Sequence, residues 1–249
     1  MKIFTTINPN GNFDAQNEAM SSWASKFNIY SVNTKQEINT IEDLYPYVNF
    51  IESENTFDFD ITKFRTPPLT ALNIKKRLVK LNAILDSINK TDGKYFCIVN
   101  SDIILKSDKL SNLFLDKYLS DGLIISTRYE LEGDKITKPF SSGYDVFIFD
   151  KKNINMLYND NYVIGMPWWD YWIPIISLKN LKLYHIDEKA FLHRTHKTNY
   201  NFGYWVRFGE FLYNDIIVNI MNARSDMELY DFCDIIKKHI EKKQINIKL

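Results

Sequence analysis

The 249-residue sequence has two cysteines, no excess of charge of either sign, no long apolar run, no internal repeat and no low-complexity block. Each absence closes a class. Cys97 and Cys233 lie far apart in apolar surroundings, so they read as reduced core residues and not as a disulfide framework or zinc site. Lys+Arg 31 cancels Asp+Glu 31, which leaves no global positive field to hold a phosphate backbone. Nucleic acid is therefore not an expected partner. No stretch approaches the ~18 apolar residues of a membrane span, and the apolar part of the first residues is shorter than a signal-peptide core. A cytoplasmic protein is the expectation, with weak peripheral contact between Lys237–Lys243 and anionic lipid as a minor one.

What the chain does have is 45% hydrophobic residues and many aromatics: Tyr 15, Phe 17 and Trp 5. That is a soluble globular composition with enough ring area for a large core. Short apolar runs at 2–7, 29–32, 48–51, 95–99, 123–126, 146–149, 182–186 and 190–192 read as strands. A helix is expected over 14–26. A second, begun by Pro67-Pro68, should carry Ile74, Leu78, Leu81, Leu85 and Ile88 on one face. Residues 52–66 read as a surface loop, and the pattern turns helical from about Phe202. Early alternation of strand and helix implies an α/β fold with a mainly parallel central sheet flanked by helices. Residues 1–200 would form the main domain, and 201–249 a helical extension packed on it.

One run is interrupted. In Cys97-Ile98-Val99-Asn100-Ser101-Asp102-Ile103-Ile104-Leu105 a buried strand breaks at three small polar residues before the apolar pattern resumes. Asn, Ser and Asp make local turns. A carboxylate at a strand end can also meet a divalent cation that holds phosphate oxygens. Ligands in open α/β sheets bind outside the carboxyl ends of the strands. Asn8, after the first strand, falls at the same edge, which favours a site.

Here the sequence resembles a known family. Tyr95 through Ile103 is similar to the "D-x-D" segment of GT-A fold glycosyltransferases, and Leu81-Asn82-Ala83-Ile84-Leu85 upstream resembles their Arg-Asn-x-Gly helix, with Leu81 in place of the arginine. The Asn100-Ser101-Asp102-Ile103 form, together with Gly143–Phe149 and Met166–Trp172, resembles a small viral and bacterial group within it. The likeness spans roughly residues 1–200. It implies that Asp102 holds Mn²⁺ or Mg²⁺ on the diphosphate of a nucleotide-sugar. Asn100 and Ser101 would contact the nucleotide, though Asn100 adds no charge where the family usually has Asp. Thr6 and Asn8 at the first strand end, with Arg65 or Asn82 nearby, would receive base and ribose.

Three further segments carry expectations. Met166-Pro167-Trp168-Trp169-Asp170-Tyr171-Trp172 resembles the family's "xED" segment, whose Asp is the catalytic base of inverting enzymes. Indole faces of Trp168 and Trp169 would pack on a sugar and partly desolvate Asp170, raising its pKa. Read without the resemblance, Asp170 is a helix cap. Gly143 would allow a close approach of backbone to the sugar, and Asp145 would accept from its hydroxyls or merely start a strand. After the last strand, His193 and His196 are both candidates for a metal ligand, with Arg194 and Lys197 placed to offset diphosphate charge. The implied activity is transfer of a sugar from a nucleotide-sugar to a hydroxyl of a glycan or other acceptor. A sugar nucleotidyltransferase would need a glycine-rich loop that Thr5–Gly11 lacks. A binding protein using its tryptophans as a sugar platform is the other alternative.

Overall fold

The structure, a computed structural model, describes residues 1–60, 75–140, 142–196, 202–216 and 227–249, with side chains for all of these except 58–60 and 75–77. Arg65, Pro67-Pro68, Ile74 and Lys197 lie outside the described residues.

The first strands and helices follow the apolar patterning. β1 (Lys2–Thr5) leads through α1 (Phe13–Ala24) to β2 (Asn28–Asn33), then through α2 (Lys35–Ile41) to β3 (Val48–Glu52). Asn12 caps α1 by accepting from the Ala15 amide, and Thr34 and Glu37 form a reciprocal capping box on α2. β4 (Thr56–Asp60) and β5 (Lys75–Val79) form an antiparallel ribbon, followed by α3 (Leu81–Lys90). This corrects two expectations. Residues 56–60 are a strand within the expected loop, and the helix begins at Leu81. Leu78 sits on β5 opposite Phe57, because pairing with β4 supplies its backbone bonds.

β6 (Tyr95–Val99) is buried along its whole length. β7 (Ile103–Leu105) follows the Asn100–Asp102 break, and then α4 (Asn112–Leu119) and β8 (Gly122–Ser126). β9 (Tyr129–Glu132) and β10 (Lys135–Pro139) make a hairpin before β11 (Val146–Asp150). α5 (Trp169–Ser177), β12 (Lys182–Ile186), β13 (Phe191–Arg194), α6 (Phe202–Ile216), α7 (Leu229–Lys243) and β14 (Ile245–Ile247) complete the chain.

Eight strands form one sheet in the order β14-β12-β8-β11-β6-β1-β2-β3. All of its pairings are parallel except those of β11, which runs antiparallel to both neighbours. Hence the carboxyl ends of β12, β8, β6, β1 and β2 and the start of β11 share one edge. A four-stranded sheet, β10-β9-β13-β7, stands beside it. α1 and α4 cover one face of the main sheet, and α3, α5, α6 and α7 the other. Each fully buried Phe, Ile or Leu in these layers contributes about 1.5–3 kcal/mol. The C-terminal segment corrects the sequence reading. It is not only helical, since β14 adds a parallel edge strand to β12.

Candidate active site

β6 ends at Val99, and the Ile103 amide donates to the Asn100 carbonyl at 3.3 Å, closing a turn. The chain then leaves the main sheet and joins the second one as β7. Trp23 of α1 holds this exit by donating from Nε1 to the Ile103 carbonyl at 2.7 Å, and Ser22 Oγ accepts from the Leu105 amide at 2.9 Å. The polar break in the apolar run is thus a turn that also delivers Asp102 to the carboxyl edge.

β13 lies antiparallel to β7 with His193 opposite Ile103. That register brings His193 Nε2 to 3.4 Å and His196 Nε2 to 3.6 Å from Asp102 Oδ2. One ligand atom from each residue falls within 4.8 Å of the others. Burial raises the Asp102 pKa, but hydrogen bonds from His193 and His196 outweigh it and hold the carboxyl well below its usual range. Both histidines therefore meet Asp102. A carboxylate with two imidazoles is a donor set that suits a divalent ion such as Mn²⁺, so the residues fit the expected metal.

Behind the cluster lies a network that sequence reasoning missed. Glu130 on β9 accepts from His193 Nδ1 at 2.9 Å, and its other oxygen receives Arg128 Nε at 2.9 Å. Arg128 Nη1 reaches Asp145 Oδ1 at 2.8 Å, where the Asn100 amide also donates at 3.1 Å. The guanidinium lies 3.8 Å from the centre of the Phe140 ring. With both ring nitrogens of His193 engaged, its orientation is fixed. Nothing in the local sequence marked Arg128 or Glu130. Only the pairing of β9 parallel to β13 brings Glu130, and Arg128 just before the strand, to this place.

A cleft of about 290 Å³ opens beside Asp102 and His193, lined by Thr6, Asn8, Asn100, Ser101, Glu37 and Arg128. Leu78, Val79 and Val163 to Met166 also border it. Thr6 donates to the Val32 carbonyl, and the Asn8 carbonyl accepts from Gln16 Nε2, which fixes the loop after β1. Asn82 stands apart. Its side chain donates to Asp160 at 2.9 Å and accepts from the Asn159 amide at 2.8 Å, so it pins α3 to a loop and does not border the cleft. Arg194 is held by Glu18 through two bonds of 2.7 and 2.8 Å, and among the described residues Arg128 is the guanidinium that lines the cleft.

The tryptophan expectation is corrected. Trp168 and Trp169 are each only 2% exposed, so neither presents an indole face to a sugar. Trp168 donates to the Trp205 carbonyl at 2.7 Å, stacks on Phe232, and lies where a Cβ at Gly209 would stand only 3.0 Å away. It is also the one non-glycine with positive φ, 79°, among the described residues. Such a conformation costs about 1–3 kcal/mol for a bulky residue, and the packed indole holds it. The consequence is a fixed entry into α5, whose first turn carries Asp170.

Asp170 Oδ1 is sealed from water and has no hydrogen-bond partner. Burial first, and then repulsion from Asp145, pushes its carboxyl up from 3.8 to about 7. Desolvation is expected from the sequence, but it comes from backbone and core packing. Gly143, φ 97°, lies against the same carboxylate, and a Cβ there would stand 1.9 Å from Asp170 Oδ2. The glycine therefore makes room for Asp170 itself. Asp145 is 3% exposed, and burial raises its pKa against the pull of Arg128.

This arrangement, a mostly parallel central sheet flanked by helices with β11 antiparallel within it, is a GT-A-like fold. No protein-family model and no curated protein matches the sequence. Among solved structures, S. aureus TarS residues 1–349 in complex with UDP-GlcNAc aligns over 98% of this chain and 72% of its own, with a TM-score of 0.52 and 15% identity. The same protein with UDP aligns over 97% and 71%, at TM-score 0.50 and 12% identity. At that identity the likeness concerns the fold. Among the described residues, no helix is long and apolar enough to cross a membrane.

Proposed function

We propose that this chain is a metal-dependent glycosyltransferase that moves a sugar from a nucleotide-sugar to an acceptor hydroxyl. The observation that carries the reading is the convergence of Asp102, His193 and His196 at the mouth of the cleft lined by Thr6, Asn8, Asn100 and Ser101. Two imidazoles beside one carboxylate favour Mn²⁺ over Mg²⁺, which prefers oxygen ligands. When bound, the ion would neutralise charge on the diphosphate leaving group. The complex of TarS with UDP-GlcNAc supports a nucleotide-sugar as the donor class.

In this reading Thr6, Asn8, Asn100 and Ser101 bind and orient the nucleotide. Arg128 turns positive charge toward the developing diphosphate. Asp170 takes the proton of the acceptor hydroxyl as that oxygen attacks the anomeric carbon. A carboxyl at about 7 combines a substantial ionised fraction near neutral pH with useful basicity. A base in this role makes the enzyme inverting.

A thermal-shift panel of nucleotide-sugars with and without Mn²⁺ tests the proposal. At a hundred times Kd a ligand specific to the native state adds about 2.7 kcal/mol, several degrees of melting temperature. The expected pattern is stabilisation by at least one nucleotide-sugar only with Mn²⁺, lost in Asp102→Ala. Stabilisation that survives in Asp102→Ala, or none with any nucleotide, rejects the reading.

A further inference from the structure

A second cleft, of about 260 Å³, opens on the same carboxyl edge of the main sheet. Thr127 after β8, Ile186 and Asp187 at the end of β12, and Gly143-Tyr144 before β11 form its floor. The strand order β12-β8-β11-β6-β1 sets it directly beside the first cleft. The Arg128–Asp145 pair and Gly143 stand between the two. Gly143 borders the second cleft and packs against Asp170, so that carboxylate stands directly behind the glycine without lining either cleft.

The walls indicate what fits. Tyr129 and Phe140 from the β9–β10 hairpin offer ring surface. Tyr144 donates to Gln244 Oε1 at 2.9 Å. His185 faces Asn246 Oδ1 through Nδ1 at 3.2 Å, which leaves Nε2 as an acceptor, and that atom is buried with no partner. The cation of the lining, Lys237, lies 3.8 Å from Glu241, and the remaining charge, Asp187, is negative. Aromatic surface, neutral hydrogen-bonding groups and, among the described residues, no uncompensated positive charge match a polyhydroxyl compound and disfavour a phosphorylated one.

We propose that the second cleft is the acceptor subsite and takes a neutral saccharide or glycoside, whose reacting hydroxyl reaches Asp170 past Gly143. This rests on the first cleft being the donor site. In the step served, the acceptor O–H proton passes to Asp170 while its oxygen bonds to the anomeric carbon. The bond from that carbon to the diphosphate oxygen breaks, and its electron pair leaves with the nucleoside diphosphate.

The test is saturation-transfer NMR with methyl β-D-glucopyranoside, lactose and maltose, and with glucose 6-phosphate as the anionic control. The full chain is used with Mn²⁺ and UDP present. At least one neutral sugar should give a signal stronger than glucose 6-phosphate. Thr127→Trp, which fills the cleft, and His185→Ala, which removes the buried acceptor, should each weaken that signal at least fivefold. Calorimetric UDP binding reports separately on the first cleft and on folding, so His185→Ala still decides the matter if Thr127→Trp fails to fold. No signal from any neutral sugar, equal signals in folded variants, or preference for glucose 6-phosphate overturns the assignment. Absence of UDP binding by the wild type instead removes the donor-site reading, while the sugar signals still report on the second cleft.

Discussion

Asp170 gives the sharpest test because its stability effect and its catalytic effect run in opposite directions. Its carboxyl is raised from 3.8 in the unfolded chain to about 7 in the fold, by burial and then by Asp145. The native state therefore holds a proton that the unfolded state releases. The native form is favoured fully below the unfolded pKa, and that advantage is lost as pH rises from about 4 through about 7. The rise from 3.8 to about 7 makes the cost at most roughly 4 kcal/mol above pH 7. Asp170→Asn removes the ionisation while keeping an oxygen for the amides of Trp168 and of the residue itself, which bond to the carboxylate.

The variant should accordingly be more stable than wild type at pH 8, by a few kcal/mol, and within about 1 kcal/mol of it at pH 4.5. Urea unfolding at the two pH values measures the difference. Shifts of Asp145 and His193 occur in both proteins and largely cancel. The same substitution should abolish turnover while UDP affinity stays within threefold. Wild-type kcat/KM should rise with unit slope below pH 7 and level off above it. A stability difference independent of pH, or a rate already at its plateau at pH 5, refutes the assignment of a desolvated base at this position.

Gly143→Ala should cut turnover by at least a hundredfold and lower stability by about 1–3 kcal/mol, since the added Cβ meets Asp170 Oδ2 and φ is 97°; activity and melting temperature check both. Glu130→Gln should weaken Mn²⁺ binding by about 10–100-fold by loosening His193, read by electron paramagnetic resonance titration, with activity recovering at high Mn²⁺. Trp168→Ala should destabilise by about 3–5 kcal/mol through loss of its stack on Phe232 and its bond to Trp205, and denaturant midpoints measure this.

Local signals made much of the fold legible. Apolar runs located the strands of the main sheet except β14, and the polar interruption after Val99 marked the ligand edge. Thr6, Asn8, Asn100, Ser101, Asp102 and His193 do line one cleft. What failed depended on pairing distant in sequence. Leu78 fits a helical face with Leu81 and Leu85, yet its strand partner is Phe57, which no periodicity reveals. The tryptophans around Asp170 suggested a ligand platform because aromatic rings serve both sites and cores. Only the packing of α6 and α7 over Trp168 decides between them. Glu130 and Arg128 escaped notice because a hairpin, with Arg128 just before it, carries them to Asp102 and His193, and a hairpin sequence does not name its target.

The charge balance of the site explains why these pieces belong together. Among the described residues around the cluster, Asp102, Glu130 and Asp145 face one guanidinium, Arg128, which leaves two negative charges uncompensated when all are ionised. Burial opposes charging of His193, but Asp102 and Glu130 raise its pKa all the same. A proton on that ring would take over part of what a cation supplies. A diphosphate entering such a pocket meets acidic groups, and Arg128 is already shared between two of them. A divalent ion on Asp102, His193 and His196 would supply the two missing charges at the side of the cleft where the diphosphate must lie. If the proposed function is right, nucleotide binding without Mn²⁺ should fail because the protein's own carboxylates repel it, even with the nucleotide contacts intact. In the proposed reading the network of Glu130, Arg128 and Asp145 keeps the acidic groups fixed in place, so that the cation and the diphosphate would be bound as a pair.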